Sequence, residues 1–292
     1  MDNIQTLTRG YPLSWYSILA TFSPAEEVFT GIYADTDGDR GPVGQIHQSP
    51  QSSSAQLHFV IADETQLGDL TVLLEGLCKE AGGWGAKQVI AELAPDSPFY
   101  PAVRRAGFRV FGKQRLYWFQ DAMDELTGMV GRWRIWNSGD IPAIRVLYQA
   151  LVPPLIQPVE PLTRLEMLGL VYYDERQELQ AFADLVYGPM GIWVIPFIHP
   201  QCTVEFSGLL ARMVADLPNR NKRPVYVTAR SYQPWVENAL DALPAERGPE
   251  EALLVKYLAY RQPVTADLSF GALENGGAKP HLPVAPIRND GQ

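Results

Sequence analysis

The 292-residue chain is 46% hydrophobic with a formal net charge of −9, which suits a folded protein with a substantial core and room for two domains. Its acidity, and the lack of basic runs interleaved with aromatics, exclude an electrostatic footprint for DNA or RNA. No apolar run reaches membrane-spanning length, and MDNIQTLTRG lacks a basic stretch leading into an apolar one, so a cytoplasmic protein without a membrane partner is expected.

In chain order, Ile4 to Leu7 reads as a short strand and Leu13 to Phe22 as a helix. Val28 to Ala34 and Val43 to His47 read as strands flanking an acidic turn, Asp35 to Pro42. A polar hairpin loop, Ser49 to Ser54, precedes the strand Ala55 to Ala62. A long helix follows from about Leu67 to Ala81, with Leu70, Leu73, Leu74, Leu77 and Cys78 on one face. Lys87 to Leu93 is a strand broken by Pro95-Asp96-Ser97-Pro98. Asp96 or Ser97 is placed to cap a short helix that Gly107 stops, and Phe108 leads into an aromatic-rich strand.

A comparable order returns in the second half. Arg132 to Asn137 (strand), Ile141 to Leu151 (helix), and strands Leu168 to Tyr173, Leu179 to Val186 and Ile192 to Ile198 come first. Helix Val204 to Leu217, strand Val225 to Ala229, helix Gln233 to Leu243 and strand Leu253 to Tyr260 complete it. A shift of 135 to 136 residues sets Leu74 on Leu209, Gln66 on Gln201, Val89 on Val225, Pro98 on Pro234 and Ala106 on Ala242.

Antiparallel strands followed by strand, helix, strand, short helix and strand, with the corner Arg104-Arg105-Ala106-Gly107-Phe108, resemble the GNAT (N-acetyltransferase) superfamily. The resemblance implies an α/β (α+β) fold of two tandem GNAT-like domains, each a mixed, mostly antiparallel sheet flanked by helices. Their expected limits are 1–122 and 128–262, followed by a flexible tail at 263–292.

The resemblance also implies where acetyl-CoA or another acyl-CoA would bind. The family's Arg/Gln-x-x-Gly-x-Gly/Ala turn falls on Thr65, Gln66, Leu67, Gly68, Asp69 and Leu70, where only Gly68 matches. Phe59, Val60 and Ile61 are expected to line the cleft beside it, with Asp96 nearby. In the second half the turn is Pro200 to Glu205, with no glycine. The family's general-acid tyrosine falls on Val103 and on its repeat partner Ala239; Tyr100, one turn earlier, and Glu92 on the strand are the remaining catalytic candidates.

Arg104, Arg105, Arg109, Lys113 and Arg115 form a basic cluster able to meet a 3′-phosphate, or simply a solvated face. The four histidines lack ligand spacing and no metal is expected; Cys78 and Cys202 are expected as reduced, buried thiols. The sequence thus points to a GNAT-fold protein with degraded acetyl-CoA and general-acid positions, weakly active or binding a small molecule without catalysis. An active acyl-CoA-dependent N-acyltransferase using the N-terminal domain, and a ligand-free interaction scaffold, are the alternatives.

Overall fold

The computed structural model describes residues 2–10, 27–34, 40–49, 52–120, 131–162 and 168–258. The helix expected at Leu13 to Phe22, most of the acidic turn after Ala34, the linker near Asp121 to Thr127 and the tail lie outside the described residues.

The first element is a helix, α1 (Asn3–Arg9), where the sequence suggested a strand. Asp2 decides this: its carboxylate accepts from the Gln5 amide at 3.1 Å and satisfies a first-turn donor. Gly10 ends the helix at a φ of 97°, its N–H bonded to Thr6 O. Strands β1 (Glu27–Ala34), β2 (Arg40–Gln48) and β3 (Ser54–Ile61) form an antiparallel meander. Helix α2 (Leu67–Gly83) buries Leu70, Leu73, Leu74, Leu77 and Cys78 as their spacing predicts. It leads to β4 (Gln88–Leu93), the short α3 (Tyr100–Arg105) and β5 (Arg109–Phe119).

Beyond the linker come β6 (Arg134–Ile135), α4 (Ile141–Leu151), β7 (Gly169–Tyr173), β8 (Leu179–Tyr187) and β9 (Ile192–Ile198). Then follow α5 (Phe206–Ala215), β10 (Val225–Arg230), α6 (Pro234–Asp241) and β11 (Glu246–Tyr257). Strand β6 is shorter than expected because Trp133 turns inward to 4% exposure, its indole N–H donating to Leu209 O at 3.0 Å. Strand β11 starts well before Leu253. Gly248-Pro249, a turn signal in the sequence, forms a bulge between Arg247 and Glu250, and the Arg115 guanidinium donates to Gly248 O at 2.8 Å.

These strands make one eleven-stranded sheet, ordered β1-β2-β3-β4-β11-β5-β10-β9-β8-β7-β6. Only β3–β4 and β9–β10 run parallel; every other pairing is antiparallel. Strands β3 and β9 hold equivalent places, each antiparallel to the strand before it and parallel to the strand after the next helix. The last strand of each half crosses over: β11 lies between β4 and β5, and β5 lies between β11 and β10. Each half therefore covers an edge that the other would leave unpaired, and the sheet has no open edge at its centre.

Side chains on alternate positions divide the two faces. Val89 and Ala91 pack with α2 and α3, and Val225, Val227 and Ala229 with α5 and α6. On the opposite face α4 packs over β7 to β9, and Val159 of the segment 153–162 packs with Ile90, Leu253 and Val255 near the middle of the sheet. Helix α1 crosses this face, its N-cap residue hydrogen-bonded to β3 (Asp2 N to His58 O, 3.2 Å) and its last turn to the β8–β9 corner (Met190 N to Thr8 O, 2.9 Å).

Candidate functional site

Parallel pairing between β3 and β4 is confined to Ser54–Gln88, Ala55–Val89 and Gln56–Ile90, so the two strands separate beyond Gln56. The same happens between β9 and β10, where pairing ends at Val194 and Val227. In the second half the opening is filled from within. Gln233, 1% exposed, accepts from Ile198 N and donates to Pro196 O, each at 3.0 Å, and the Trp235 indole N–H donates to Ile198 O at 3.0 Å.

The starts of the two long helices, where the resemblance sets a pyrophosphate, are held by this chain's own groups. At α5 the Glu205 carboxylate accepts from Ser207 N at 2.9 Å and Gly208 N at 2.6 Å, taking the amides an anion would use. At α2 a 3₁₀ turn (Glu64–Gln66) precedes the helix, and the Gln66 side-chain oxygen accepts from Asp63 N at 3.2 Å. Asp63, Glu64 and Asp69 give this end three carboxylates. Gly68 faces open space, but Leu70 is 0% exposed and belongs to the core rather than to a phosphate-facing backbone. These residues do not fit a CoA pyrophosphate: like charge opposes it, and the close approach that a second glycine allows is absent.

The other positions singled out from the sequence divide in the same way. Phe59 and Val60 are buried on β3 while Ile61 is 56% exposed, and Thr65 and Asp96 are exposed. Leu67 and Tyr100 are half-buried against the α2 core. Val103, in the general-acid position, is 1% exposed inside that core, and its partner Ala239 is buried as well. Three members of the basic cluster are engaged by this chain's own groups. Arg104 donates to Phe108 O at 3.0 Å, Lys113 pairs with Glu250 at 2.7 Å and Arg115 with Glu237 at 2.8 Å. Cys78 and Cys202 are free thiols, and burial pushes Cys78 up to about 11.

Glu92 is the candidate that the structure surrounds with further polar groups. Period-two alternation puts it on the face opposite α2, beside Leu253 of β11. On that face the register lines up Glu251 of β11, Gln114 of β5 and Arg230 of β10, paired Glu251–Gln114 and Gln114–Arg230. Arg230, 5% exposed, donates to Gln114 Oε1 and forms an ion pair with Glu160 from the segment 153–162. Gln114 Nε2 donates to Glu251 at 3.0 Å, and Asn3 of α1 donates to Glu251 at 2.5 Å and to Glu92 at 3.3 Å.

Burial raises the Glu92 carboxyl from 4.5 to about 7 against the attraction of Arg230, with the charges of Asp2 and Glu251 adding to the rise. Asp2 goes the other way. Its burial is outweighed by the hydrogen bond and charge of His47, whose Nε2 lies 2.8 Å from Oδ2, and the carboxyl falls to about 2. His58 meets His47 edge-to-face at 5.5 Å; burial and then His47 lower it to about 4.

These groups border a cavity of about 370 Å³ under α1, lined among others by Asp2, His47, Ser54, Gln56, Glu92, Glu160, Asp184 and Arg230. Arg230 and Glu160 were missed in the sequence because they meet only through the sheet order and a Pro-rich loop. The available signal was an arginine closing an apolar strand, VYVTAR, on the face that Tyr226 and Thr228 share.

No family model and no curated protein matches the chain. Among solved structures it is similar to a GCN5-related N-acetyltransferase from Sphaerobacter thermophilus, with a TM-score of 0.53 and 11% identity over 84% of this chain and 85% of that one. A GCN5-related N-acetyltransferase from Kribbella flavida gives 0.51 and 12% over 84% and 95%. A functionally unknown conserved protein from Staphylococcus epidermidis gives 0.52 and 15% over 74% and 91%. The chain has the GNAT fold, a mixed and mostly antiparallel sheet flanked by helices. At these identities the likeness is one of fold alone.

Proposed function

We propose that this GNAT-fold protein has lost the means of holding acyl-CoA and works as a small-molecule binding protein with weak or no acyltransferase activity. The observation that carries the reading is the chemistry at the two helix starts: Glu205 spends the α5 amides, and three carboxylates crowd α2. Buried Val103 and Ala239 in the general-acid positions support it, since neither can donate a proton to a leaving thiolate. The ligand then belongs to the polar cavity under α1 rather than to the cradle.

The same reading takes residues 1–122 and 128–262 as two GNAT-like repeats that complete one sheet by exchanging last strands, with 263–292 as a tail. It is tested by thiol release from acetyl-CoA over a panel of primary amines, where rates no higher than buffer are expected. Turnover at ordinary enzymatic rates contradicts it. One observation favours active N-acyl transfer instead: Glu92, at about 7, sits where a base could hold a proton from an amine near neutral pH. On that reading Glu92→Gln abolishes the turnover.

A further inference from the structure

The charged groups that line the cavity under α1 are already matched by this chain. The Asp2 carboxylate lies 2.8 Å from His47 Nε2, and Glu160 forms an ion pair with Arg230. Glu92 accepts from Asn3 N at 3.3 Å, and Glu92, Arg9 and Asp184 each interact with a further group of the chain. An ion entering here would shed its water without meeting an open counter-charge, which disfavours charged ligands.

Two neutral side chains on the wall are not matched. The hydroxyls of Thr8, Ser52 and Ser54 are engaged: Thr8 donates to Ile4 O at 2.6 Å, Ser52 donates to Ser54 O at 2.8 Å, and Ser54 accepts from Gln88 Nε2 at 2.8 Å. The side-chain amides of Gln5 and Gln56, which also line the cavity, make no hydrogen bond among the described residues. Both residues are half-buried, and neither amide is shut away from solvent. Gln5 stands in the middle of α1, and Gln56 is on β3 between His47 of β2 and Ile90 of β4. Each carboxamide offers an N–H donor and a C=O acceptor together. The wall beside them is apolar: Ile4 precedes Gln5, Ile90 neighbours Gln56, and Val159 and Leu253 pack with Ile90.

We propose that the cavity under α1 binds an uncharged molecule that joins a carboxamide to an apolar body. The ligand's amide exchanges N–H···O bonds with the amides of Gln5 and Gln56, and its apolar part lies over Ile90, Val159 and Leu253. A carboxamide answers both halves of a glutamine amide at once without bringing charge. The volume, about 370 Å³, is at the small end of ligand pockets and suits an aryl amide rather than a nucleotide.

This inference rests on the small-molecule reading above but fails separately from it. The test titrates the full chain at pH 7 with benzamide, benzoate, benzamidine and acetophenone, which share one ring and differ in charge or in the N–H donor. Benzamide is expected to shift the side-chain NH2 resonances of Gln5 and Gln56 saturably in NMR. It should bind at least about tenfold more tightly than benzoate or benzamidine, whose desolvation the cavity does not repay. Acetophenone, which lacks the N–H, should bind about fivefold more weakly than benzamide, the effect of one hydrogen bond. Gln56→Met and Gln5→Met should each weaken benzamide about fivefold. Gln5 is a half-exposed helix position, so its variant keeps the test open if Gln56→Met fails to fold. Tighter binding of either ion, equal binding of acetophenone, unchanged benzamide affinity in Gln5→Met, or no saturable shift at the two amides overturns the assignment. Micromolar binding of acetyl-CoA alongside the expected benzamide pattern would refute the degraded cradle and still support the amide site.

Discussion

Replacing Glu92 by Gln isolates one ionisation in the middle of the sheet. The carboxyl rises from 4.5 to about 7, burial being the main cause, so the native state holds a proton that the unfolded chain releases near 4.5. A group with a raised native pKa contributes its stability fully below the unfolded value and loses it as pH rises through the native one. At 1.36 kcal/mol per unit, the span implies a loss of about 3 kcal/mol between pH 4.5 and somewhat above pH 7. Wild-type stability alone does not reveal it. His58, lowered from 6.5 to about 4, loses stability as pH falls over an overlapping range, so the two slopes oppose one another. The difference between Glu92→Gln and wild type cancels His58. Urea unfolding at pH 4.5, 5.5, 6.5 and 7.5 should show that difference shifting in favour of the variant by about 3 kcal/mol across the series. A difference that stays flat with pH would mean that Glu92 titrates as an ordinary surface carboxylate, and the electrostatic account of the cavity would fall with it.

Other outcomes follow from single contacts. Gly188→Ala puts a Cβ 2.1 Å from Thr8 O, a backbone atom, so α1 should detach from the β8–β9 corner and its amides lose protection in hydrogen exchange. Unchanged protection would show that α1 is not held there. Gln233→Leu leaves Ile198 N and Pro196 O unsatisfied in the second opening, a loss of about 1–3 kcal/mol per group in urea unfolding. A cost within error of zero would show that the opening is not closed by this residue. Rebuilding the α2 cradle with Thr65→Arg and Asp69→Asn should strengthen acetyl-CoA binding about tenfold or more by calorimetry, since one carboxylate goes and one guanidinium comes. Leu70→Gly does not belong in that design, because emptying a fully buried leucine position costs at least about 2–5 kcal/mol.

Long periodic elements were legible in the sequence for a physical reason. Helix α2 writes its buried face as Leu70, Leu73, Leu74, Leu77 and Cys78, and its neighbouring strands are bounded by the turns that Gly85 and Gly107 enforce at positive φ. Elements whose structure depends on a partner were not. The apolar stripe of α1 is a single pair, Ile4 and Leu7, too short to mark a helix by itself, and the helix exists because Asp2 caps it and the sheet receives it. The first half of β11 reads as a loop because its Gly248-Pro249 bulge is stabilised by Arg115, a residue far away in the chain.

Glu92 was visible as a carboxylate on a strand. Its neighbours Arg230, Glu160 and Glu251 were not, since the crossing of β5 and β11 brings Glu251 and Arg230 to either side of Gln114, a Pro-rich loop brings Glu160, and no local spacing records either. The alternation in β4 also misleads, because Gln88 and Ile90 are as buried as Val89 and Ala91 in a sheet covered on both faces.

The central claim is that acyl-CoA has no seat at the start of α2. An NMR titration of the full chain with acetyl-CoA, following the amides of Leu67, Gly68 and Asp69, tests it most directly. The account predicts no saturable shift at these amides up to millimolar ligand. Saturable shifts there in the low micromolar range would contradict it.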